Sequence, residues 1–183
     1  VSGFLRGKKI EFLKSTTTRP LRDFVKENIL NIINHSNLIN IKLENANVLD
    51  LYSGIGSFGI ECISQGVKKV TFVENNSEAL IKLKKNLTSL KIEDRSEVIN
   101  KKIISYLKIS NNKDKFEIIF LDPPFAENAF IEELKVIKNS TLYKKHHLII
   151  IHREKKTEDD LEKVLNIVFT RNYGRSKIIF GTF

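Results

Sequence analysis

The feature that most constrains the fold is a glycine-rich turn between an apolar strand and a helix. Residues 48–59 read Val-Leu-Asp-Leu-Tyr-Ser-Gly-Ile-Gly-Ser-Phe-Gly, which places a G-x-G-x-x-G pattern directly after a run of β-forming residues. Glycines permit the tight turn and let the backbone approach a ligand at the helix N-terminus. A strand, a glycine turn and a helix in this order are typical of an open parallel sheet that binds a nucleotide-like cofactor.

Beyond this turn, strand-like and helix-like segments alternate with short connections. The predicted strands are 46–51, 69–73, 96–100, 116–121, 147–152, 167–171 and 176–183, and the predicted helices are 58–65, 77–90, 103–107, 128–138 and 158–165. This alternation predicts an α/β, Rossmann-like fold with a mostly parallel seven-stranded sheet and helices on both faces. The last two strands, joined through residues 172–174, are too close for a crossover and are expected to form an antiparallel hairpin.

The N-terminal residues precede this pattern and carry their own signals. Residues 2–14 suggest two short strands around Arg6-Gly7-Lys8, which predicts a basic β-hairpin. Pro20 favours a helix start, and apolar residues at helical spacing predict a helix that runs to His35. We therefore expect an N-terminal extension over residues 1–40, made of the hairpin and the helix, followed by the α/β domain over 41–183.

Two carboxylates indicate what the glycine turn binds. Glu74 ends the second predicted strand 20 residues after Gly54, where an acidic side chain meets the ribose hydroxyls of a cofactor. A nicotinamide dinucleotide fits that spacing, but Asp50 would place negative charge beside its pyrophosphate. S-adenosylmethionine has no phosphate, and its ammonium and sulfonium suit Asp50. The alternative for Asp50 is a carboxylate that caps the following helix.

A second motif follows the fourth strand of the α/β domain, where Phe116–Leu121 runs into Asp122-Pro-Pro-Phe125. The prolines restrict the backbone, so the Asp122 carboxylate and the Pro123 carbonyl leave the strand with little freedom. Two acceptors beside the flat ring of Phe125 suit a planar heterocycle with an exocyclic amine, such as a nucleobase. A strand-ending turn with an exposed Phe is the alternative for this motif taken alone.

Charge and composition limit the partners. The net charge of +9 is concentrated at the two ends, since residues 1–45 carry +4, 46–134 carry −1 and 135–183 carry +6. Basic ends around a near-neutral middle favour a polyanionic partner such as nucleic acid. No apolar run approaches the length of a membrane span, so we expect a cytoplasmic protein without a membrane partner. Cys62, the only cysteine, is interpreted as a core residue. The four histidines lack the spacing of metal ligands, so we expect no metal site.

Together these motifs resemble a known family. The D-x-x-x-G-x-G loop at Asp50–Gly56, the acid at Glu74 and the D-P-P-F motif at 122–125 are similar to those of class I amino-methyltransferases. The N-terminal residues Gly3-Phe-Leu-Arg-Gly-Lys-Lys9 and Thr18-Arg-Pro-Leu-Arg-Asp-Phe-Val-Lys-Glu27 resemble the signatures of the RsmD-type methyltransferases. This family methylates the N2 amine of a guanine in bacterial 16S ribosomal RNA with S-adenosyl-L-methionine.

The resemblance implies roles for individual residues. The cofactor-binding residues would be Asp50, Ser53, Gly54 and Gly56 at the methionine end, with Glu74 at the ribose and Asn75 on the adenine side. The residues that hold the target base would be Asp122, Pro123 and Phe125, and the RNA-binding residues would be Arg6, Lys8, Lys9, Arg19 and Arg22. Arg19 and Pro20 would lie over the active site. The expected partner is ribosomal RNA, within a small-subunit particle, and the expected state is a monomer.

The chain departs from the family pattern at two places. Leu21 and Arg22 replace two small residues of the N-terminal signature, and Lys102 stands where an acid commonly follows the third strand of the domain. Three alternatives also stay open. They are a DNA adenine-N6 methyltransferase, a nicotinamide-dependent oxidoreductase, and a non-catalytic RNA-binding module. The first would need a sizeable target-recognition region, the second leaves Asp122–Phe125 without a role, and the third leaves both Asp50 and Asp122 unexplained.

Overall fold

The computed structural model describes residues 1–13, 21–109, 115–125 and 128–183, and it is built on a seven-stranded sheet. The strands are β1 (Asn47–Leu51), β2 (Lys69–Glu74), β3 (Ser96–Asn100), β4 (Phe116–Leu121), β5 (Tyr143–Glu154), β6 (Asn166–Tyr173) and β7 (Ser176–Thr182). The helices are α1 (Asp23–His35), α2 (Ser57–Ser64), α3 (Ser77–Leu90), α4 (Ile103–Ile109) and α5 (Ala129–Lys138). The strand order is β3-β2-β1-β4-β5-β7-β6. Strands β1 to β5 are parallel, and β6 and β7 form an antiparallel pair against β5. The predicted fold class is confirmed.

The helices cover the two faces of the sheet because the central strands are apolar on both sides. Neighbouring residues of β1 belong to different cores: Val48 packs with α1, α2 and α3, whereas Leu49 packs with α4 and α5. Strands buried on both faces appear as nearly continuous apolar runs. The run Leu148–Ile151 in β5 is almost fully buried and follows this rule.

The strand order determines where a ligand can bind. Strand β1 lies between β2 and β4: the chain proceeds from β1 to β2 and β3 on one side and then crosses to β4 on the other side, so the strand order reverses at β1. Ligands of open α/β sheets bind in the crevice at the carboxyl ends of the strands next to such a reversal. Asp50, Glu74 and Asp122 all lie at or just beyond the carboxyl ends of these three strands.

The predicted N-terminal β-hairpin is wrong over residues 1–13, which contain a single 3₁₀ turn at Gly3–Leu5 and no strand. The turn docks against the end of α2, where the Leu5 amide donates to the Ser64 hydroxyl at 2.9 Å and the Leu5 side chain is buried. Gly3 has φ +62°, and a Cβ there would lie 2.0 Å from the Ser64 carbonyl oxygen. The packing against α2 therefore replaces strand pairing.

The predicted helix over residues 158–165 is also wrong, because this segment is irregular. The Asp159 carboxylate is drawn into the interior by Arg153 and by the Thr157 hydroxyl, which donates to it at 2.9 Å. Leu161 and Leu165 are buried, and one helical hydrogen bond joins them at 2.8 Å. A long-range ion pair thus overrides the local helix preference of the segment.

The remaining predicted elements are present; α3, β3 and β4 have the predicted ends, and the ends of the others are shifted. Strand β5 extends from Tyr143 to Glu154, well beyond the predicted 147–152, and α4 continues to Ile109. Helix α1 begins at Asp23, and the predicted start near Pro20 falls outside the described residues. Among the residues described, no helix is long and apolar enough to cross a membrane.

Candidate active site

The turn after β1 adopts a backbone that few residue types tolerate. Tyr52, Gly54 and Gly56 have φ values of 59°, 54° and 84°. Gly56 begins α2, and a Cβ there would lie 2.4 Å from a methyl carbon of Leu83. At Gly54, by contrast, a Cβ would meet nothing within 4 Å. The backbone at Gly54 therefore borders open space, as a ligand cradle requires, and positive φ at the non-glycine Tyr52 is strain of the kind found at functional sites.

Asp50 lies beneath this turn with a relative exposure of only 1%. Its Oδ2 accepts a hydrogen bond from the Gly59 amide in the first turn of α2 at 3.0 Å. The helix-capping alternative is thus part of its role. Burial raises the pKa of the Asp50 carboxyl well above its usual value, and the charges of Asp122 and Glu74 add to this shift, while the bond from Gly59 opposes it. A cation in the crevice would favour the ionised form of Asp50.

Glu74, at the end of β2, is held by the backbone on both of its oxygens. Its Oε2 accepts from the Gly54 amide at 2.8 Å, and its Oε1 accepts from the amides of Asn75 and Asn76, both at 2.8 Å. The carboxylate therefore joins the glycine turn to the loop after β2. Three of the four lone-pair positions of the carboxylate are thus occupied, and Oε2 keeps one for a further donor such as a sugar hydroxyl.

Ser53 connects the same turn to β2. Its amide and its hydroxyl both point to the Val73 carbonyl, at 3.2 and 3.4 Å, and the residue is 8% exposed. The structure therefore brings Asp50, Ser53, Gly54, Gly56, Glu74 and Asn75 together at the carboxyl ends of β1 and β2, as the sequence predicts.

Asp122 directly follows β4 on the other side of β1. Its amide donates to the Leu51 carbonyl at 3.4 Å, which holds the motif against the end of β1. Its side chain is 27% exposed, and Oδ1 lies 2.8 Å from Nδ1 of His152. Phe125 is 41% exposed and packs edge to face with the His152 ring at a centroid distance of 5.3 Å. The motif thus offers one carboxylate oxygen and one aromatic face to the crevice.

The backbone of the motif is held by Arg153, a fully buried arginine. Its Nη1 and Nη2 donate to the carbonyls of Pro124 and Phe125, both at 3.1 Å. The same guanidinium forms a bidentate pair with Asp159, at 3.1 and 3.0 Å. It also lies 4.6 Å from the centroid of the Phe130 ring. By contrast, no described residue donates a hydrogen bond to the Pro123 carbonyl.

Sequence reasoning missed the contributions of His152 and Arg153. The motifs and spacings of the sequence assign no role at the site to either residue. A signal was present, because His152-Arg153 directly follows the apolar run Leu148–Ile151. Polar residues at the carboxyl end of a buried strand lie beside the same crevice as those of its parallel neighbours. Among the described residues, there is no group of side chains that could hold a metal ion.

Four of the five predicted RNA-binding residues fall within the described residues. Arg6, Lys8 and Lys9 are exposed in the N-terminal segment, which is anchored by Leu5 to the last turn of α2. That end of the helix is about 12 Å from its start at the glycine turn, at 1.5 Å per residue. Arg22 is exposed just before α1. Arg19, like Pro20, lies outside the described residues.

The segments before and after residues 14–20 are each held by hydrogen bonds near the glycine turn. Before them, the Glu11 amide donates to Asn86 at 2.7 Å, and Asn86 in turn donates to the Ile55 carbonyl at 3.2 Å. After them, the buried Lys26 of α1 donates to the Ser57 hydroxyl at 2.5 Å. The N-terminal segment therefore passes along α2 and reaches the crevice end of the sheet.

A family model described as "Conserved hypothetical protein 95" matches residues 1–182 of the chain. A Haemophilus influenzae protein named "Ribosomal RNA small subunit methyltransferase D" is 35% identical over 156 residues, covering 85% of this chain and 78% of the relative. A "Putative rRNA methyltransferase" from Bacillus subtilis is 29% identical over 172 residues, covering 93% of this chain and 90% of the relative.

Solved structures with this fold carry related descriptions. The crystal structure of a putative methylase from Haemophilus influenzae superposes with a TM-score of 0.72 at 29% identity, covering 87% of this chain and 96% of the other. A putative methyltransferase from Escherichia coli gives a TM-score of 0.79 over 99% of this chain and 94% of the other, and at 23% identity it supports the fold alone.

Proposed function

We propose a specific reaction for this chain, which belongs to the family described as "Conserved hypothetical protein 95". Its relatives include proteins named "Ribosomal RNA small subunit methyltransferase D". The chain is a methyltransferase of small-subunit ribosomal RNA. The proposed reaction transfers the methyl group of S-adenosyl-L-methionine to the exocyclic N2 amine of a guanine in that RNA. The alternatives of a DNA adenine-N6 methyltransferase and a nicotinamide-dependent oxidoreductase are not favoured.

The residues around the glycine turn fit the proposed cofactor. The open space at Gly54 suits a backbone contact with its methionine end, and the carboxylates of Glu74 and Asp122 lie at the same edge of the sheet, with the buried Asp50 beneath the turn. Such a site favours the cationic ammonium and sulfonium and disfavours a pyrophosphate. Asp50, Ser53, Gly54 and Gly56 would hold the methionine end, Glu74 the ribose and Asn75 the adenine side. When bound, the cofactor supplies an electrophilic methyl group.

The Asp122 motif would hold the target base. A guanine amine has two N–H groups, and the Oδ2 of Asp122 and the Pro123 carbonyl, to which no described residue donates, are two acceptors that can receive them. Acceptance of these hydrogen bonds aims the nitrogen lone pair and favours its rehybridisation for attack. Phe125 offers an exposed ring for stacking, which fixes the plane of the base. Direct displacement requires no nucleophile from the protein, and the buried Cys62, whose thiol pKa is raised well above its usual value by burial, is unsuited to be one.

Basic residues outside the crevice would bind flanking phosphates. Arg6, Lys8, Lys9 and Arg22 are exposed, and Arg19 belongs to the same proposed set. Phe4 is 58% exposed with the Arg95 guanidinium 5.6 Å from its ring centroid, so the N-terminal segment offers aromatic as well as basic groups to RNA. Phosphate contacts position a nucleic acid without reading its sequence, while the crevice would recognise the extruded base.

The observation that carries the proposal is that Asp122 and the Pro123 carbonyl lie at the same edge of the sheet as the glycine turn and Glu74. The test measures transfer of a labelled methyl group to small-subunit particles, naked small-subunit RNA and duplex DNA, followed by mapping of the product nucleotide. We expect N2-methylguanine in RNA and no product on DNA. Methylation of adenine in the duplex, or of an RNA base at another atom, would refute the proposed reaction.

A further inference from the structure

One buried side chain beside the crevice has no part in the reaction as described above. His152 is 4% exposed and lies between Asp122 and Ser176. Its Nδ1 is 2.8 Å from Asp122 Oδ1, and its Nε2 is 2.9 Å from the Ser176 hydroxyl. The three side chains come from the ends of β4, β5 and β7, so they form a hydrogen-bonded row across neighbouring strands.

The chemistry of the two ends determines the protonation of the ring. An ionised Asp122 can only accept, so His152 must donate from Nδ1. With the proton on Nδ1, the neutral ring has an acceptor at Nε2, and the Ser176 hydroxyl can donate to it. Each group in the row then has a partner of the right kind, and no buried polar side-chain atom of the described residues is left without one.

We propose that His152 is a positioning residue for Asp122, and that Ser176 keeps it in the Nδ1–H tautomer. This inference rests on the proposed function, since it assigns Asp122 to the target amine. The bond from His152 occupies Oδ1 and fixes the rotation of the carboxylate. The other oxygen is then turned to the crevice, where it and the Pro123 carbonyl form the pair of acceptors that the amine needs.

The same ring also supports the stacking surface. Its plane is nearly perpendicular to that of Phe125, at 82°, with the centroids 5.3 Å apart. Edge-to-face packing of this kind is favourable and orients both rings. His152 therefore contacts both the group that binds the amine and the ring that stacks on the base. Substitution of His152 should affect the geometry of the target base and leave the cofactor site intact.

The tautomer can be measured without substrate. The ¹⁵N chemical shifts of labelled His152, assigned by comparison with His152→Asn, should show a protonated Nδ1 and an unprotonated Nε2 at pH 8. Ser176→Ala should lower the population of this tautomer, whereas Ser176→Thr keeps a hydroxyl and should preserve it. A native ring protonated at Nε2 alone, or at both nitrogens, would overturn the proposal.

Kinetics provide the second test. His152→Leu should lower kcat by about tenfold or more, because misplacement of a reacting group is costly, while calorimetry should show unchanged affinity for S-adenosylmethionine. His152→Asn should recover part of the loss, since its amide nitrogen is attached to Cγ as Nδ1 is. The matched control is His147→Leu, which removes a buried ring of the same strand whose partners are the backbone of Lys144 and Phe183. This control should keep kcat per folded molecule.

The outcomes separate the two proposals. Undiminished kcat in His152→Leu, or equal losses in the Leu and Asn variants, would overturn the positioning role. A wild-type protein that methylates no guanine N2 but shows the Nδ1–H tautomer would refute the proposed reaction alone, because the row from Ser176 to Asp122 would still stand.

Discussion

Removal of the Arg153 guanidinium should destabilise the fold and loosen the D-P-P-F motif together. The Arg153–Asp159 pair is buried on both sides, with 1% and 2% of the side chains exposed. In Arg153→Met, the Thr157 hydroxyl is the one side-chain donor that Asp159 keeps among the described residues, and the carbonyls of Pro124 and Phe125 lose the donors of Arg153. The motif would then be attached to the sheet mainly through Asp122.

The size of the effect follows from the burial. Breaking a buried ion pair by removal of one partner costs about 3–5 kcal/mol, because the remaining charge stays in the interior. For a domain of this size, such a loss corresponds to a fall in Tm of roughly 6–20 °C. The double variant Arg153→Met/Asp159→Leu removes both charges, so it should cost less than the sum of the two single variants by about 2–3 kcal/mol.

Urea unfolding of the wild type, the two single variants and the double variant measures this coupling. A matched control is Lys163→Met, which breaks the Lys163–Asp160 pair, whose side chains are 80% and 63% exposed. An exposed pair of this kind should give no measurable change in stability. The assignment of Arg153 as the residue that holds the motif would be incorrect if Arg153→Met lowered the free energy of unfolding no more than Lys163→Met does. It would also be incorrect if the effects of the two single variants were additive.

Three further variants test the site. Asp122→Ala should abolish methyl transfer while S-adenosylmethionine binding persists in calorimetry, and turnover at the wild-type rate would exclude its role. Asp50→Asn keeps an acceptor for the Gly59 amide but loses the charge, so cofactor affinity should fall. Because the pKa of Asp50 is raised from 3.8, its contribution to stability is present at low pH and is lost as pH rises through the raised value. Asp50→Asn should therefore be at least as stable as the wild type in urea at pH 7, and unchanged cofactor affinity would contradict the charge argument. Gly56→Ala should lower stability by about 1–3 kcal/mol, since φ is +84° and the new methyl would meet Leu83 at 2.4 Å; an unchanged urea midpoint would show that the turn relaxes freely.

The sequence was sufficient to predict features that depend on residues close together in the chain. The glycine turn was predictable because only glycine readily adopts the positive φ required at residues 54 and 56. The order of strands and helices was predictable because apolar runs alternate with amphipathic segments around a sheet buried on both faces. The D-P-P-F motif was recognisable because two prolines restrict the backbone at a strand end.

The failures share one cause, which is a long-range contact that outweighs local preference. Residues 158–165 have a helical pattern, but the pairing of Asp159 with Arg153 holds them in an irregular path. The N-terminal residues have a hairpin pattern, but Leu5 is buried against α2, and the strand partner is replaced by a helix end. Neither contact can be inferred from neighbouring residues.

By itself the sequence determined the fold class, and it located the glycine turn after β1 and the D-P-P-F motif after β4. Each depends on residues within a few positions of one another, whose steric and hydrophobic preferences act locally. Only the tertiary structure decided how that motif is held, by His152 from one side and Arg153 from the other. These residues lie about 30 positions away along the chain, and they reach Asp122 and Phe125 only because β5 pairs in parallel with β4. Hydrogen bonds between neighbouring strands depend on register, which becomes defined when the whole sheet packs.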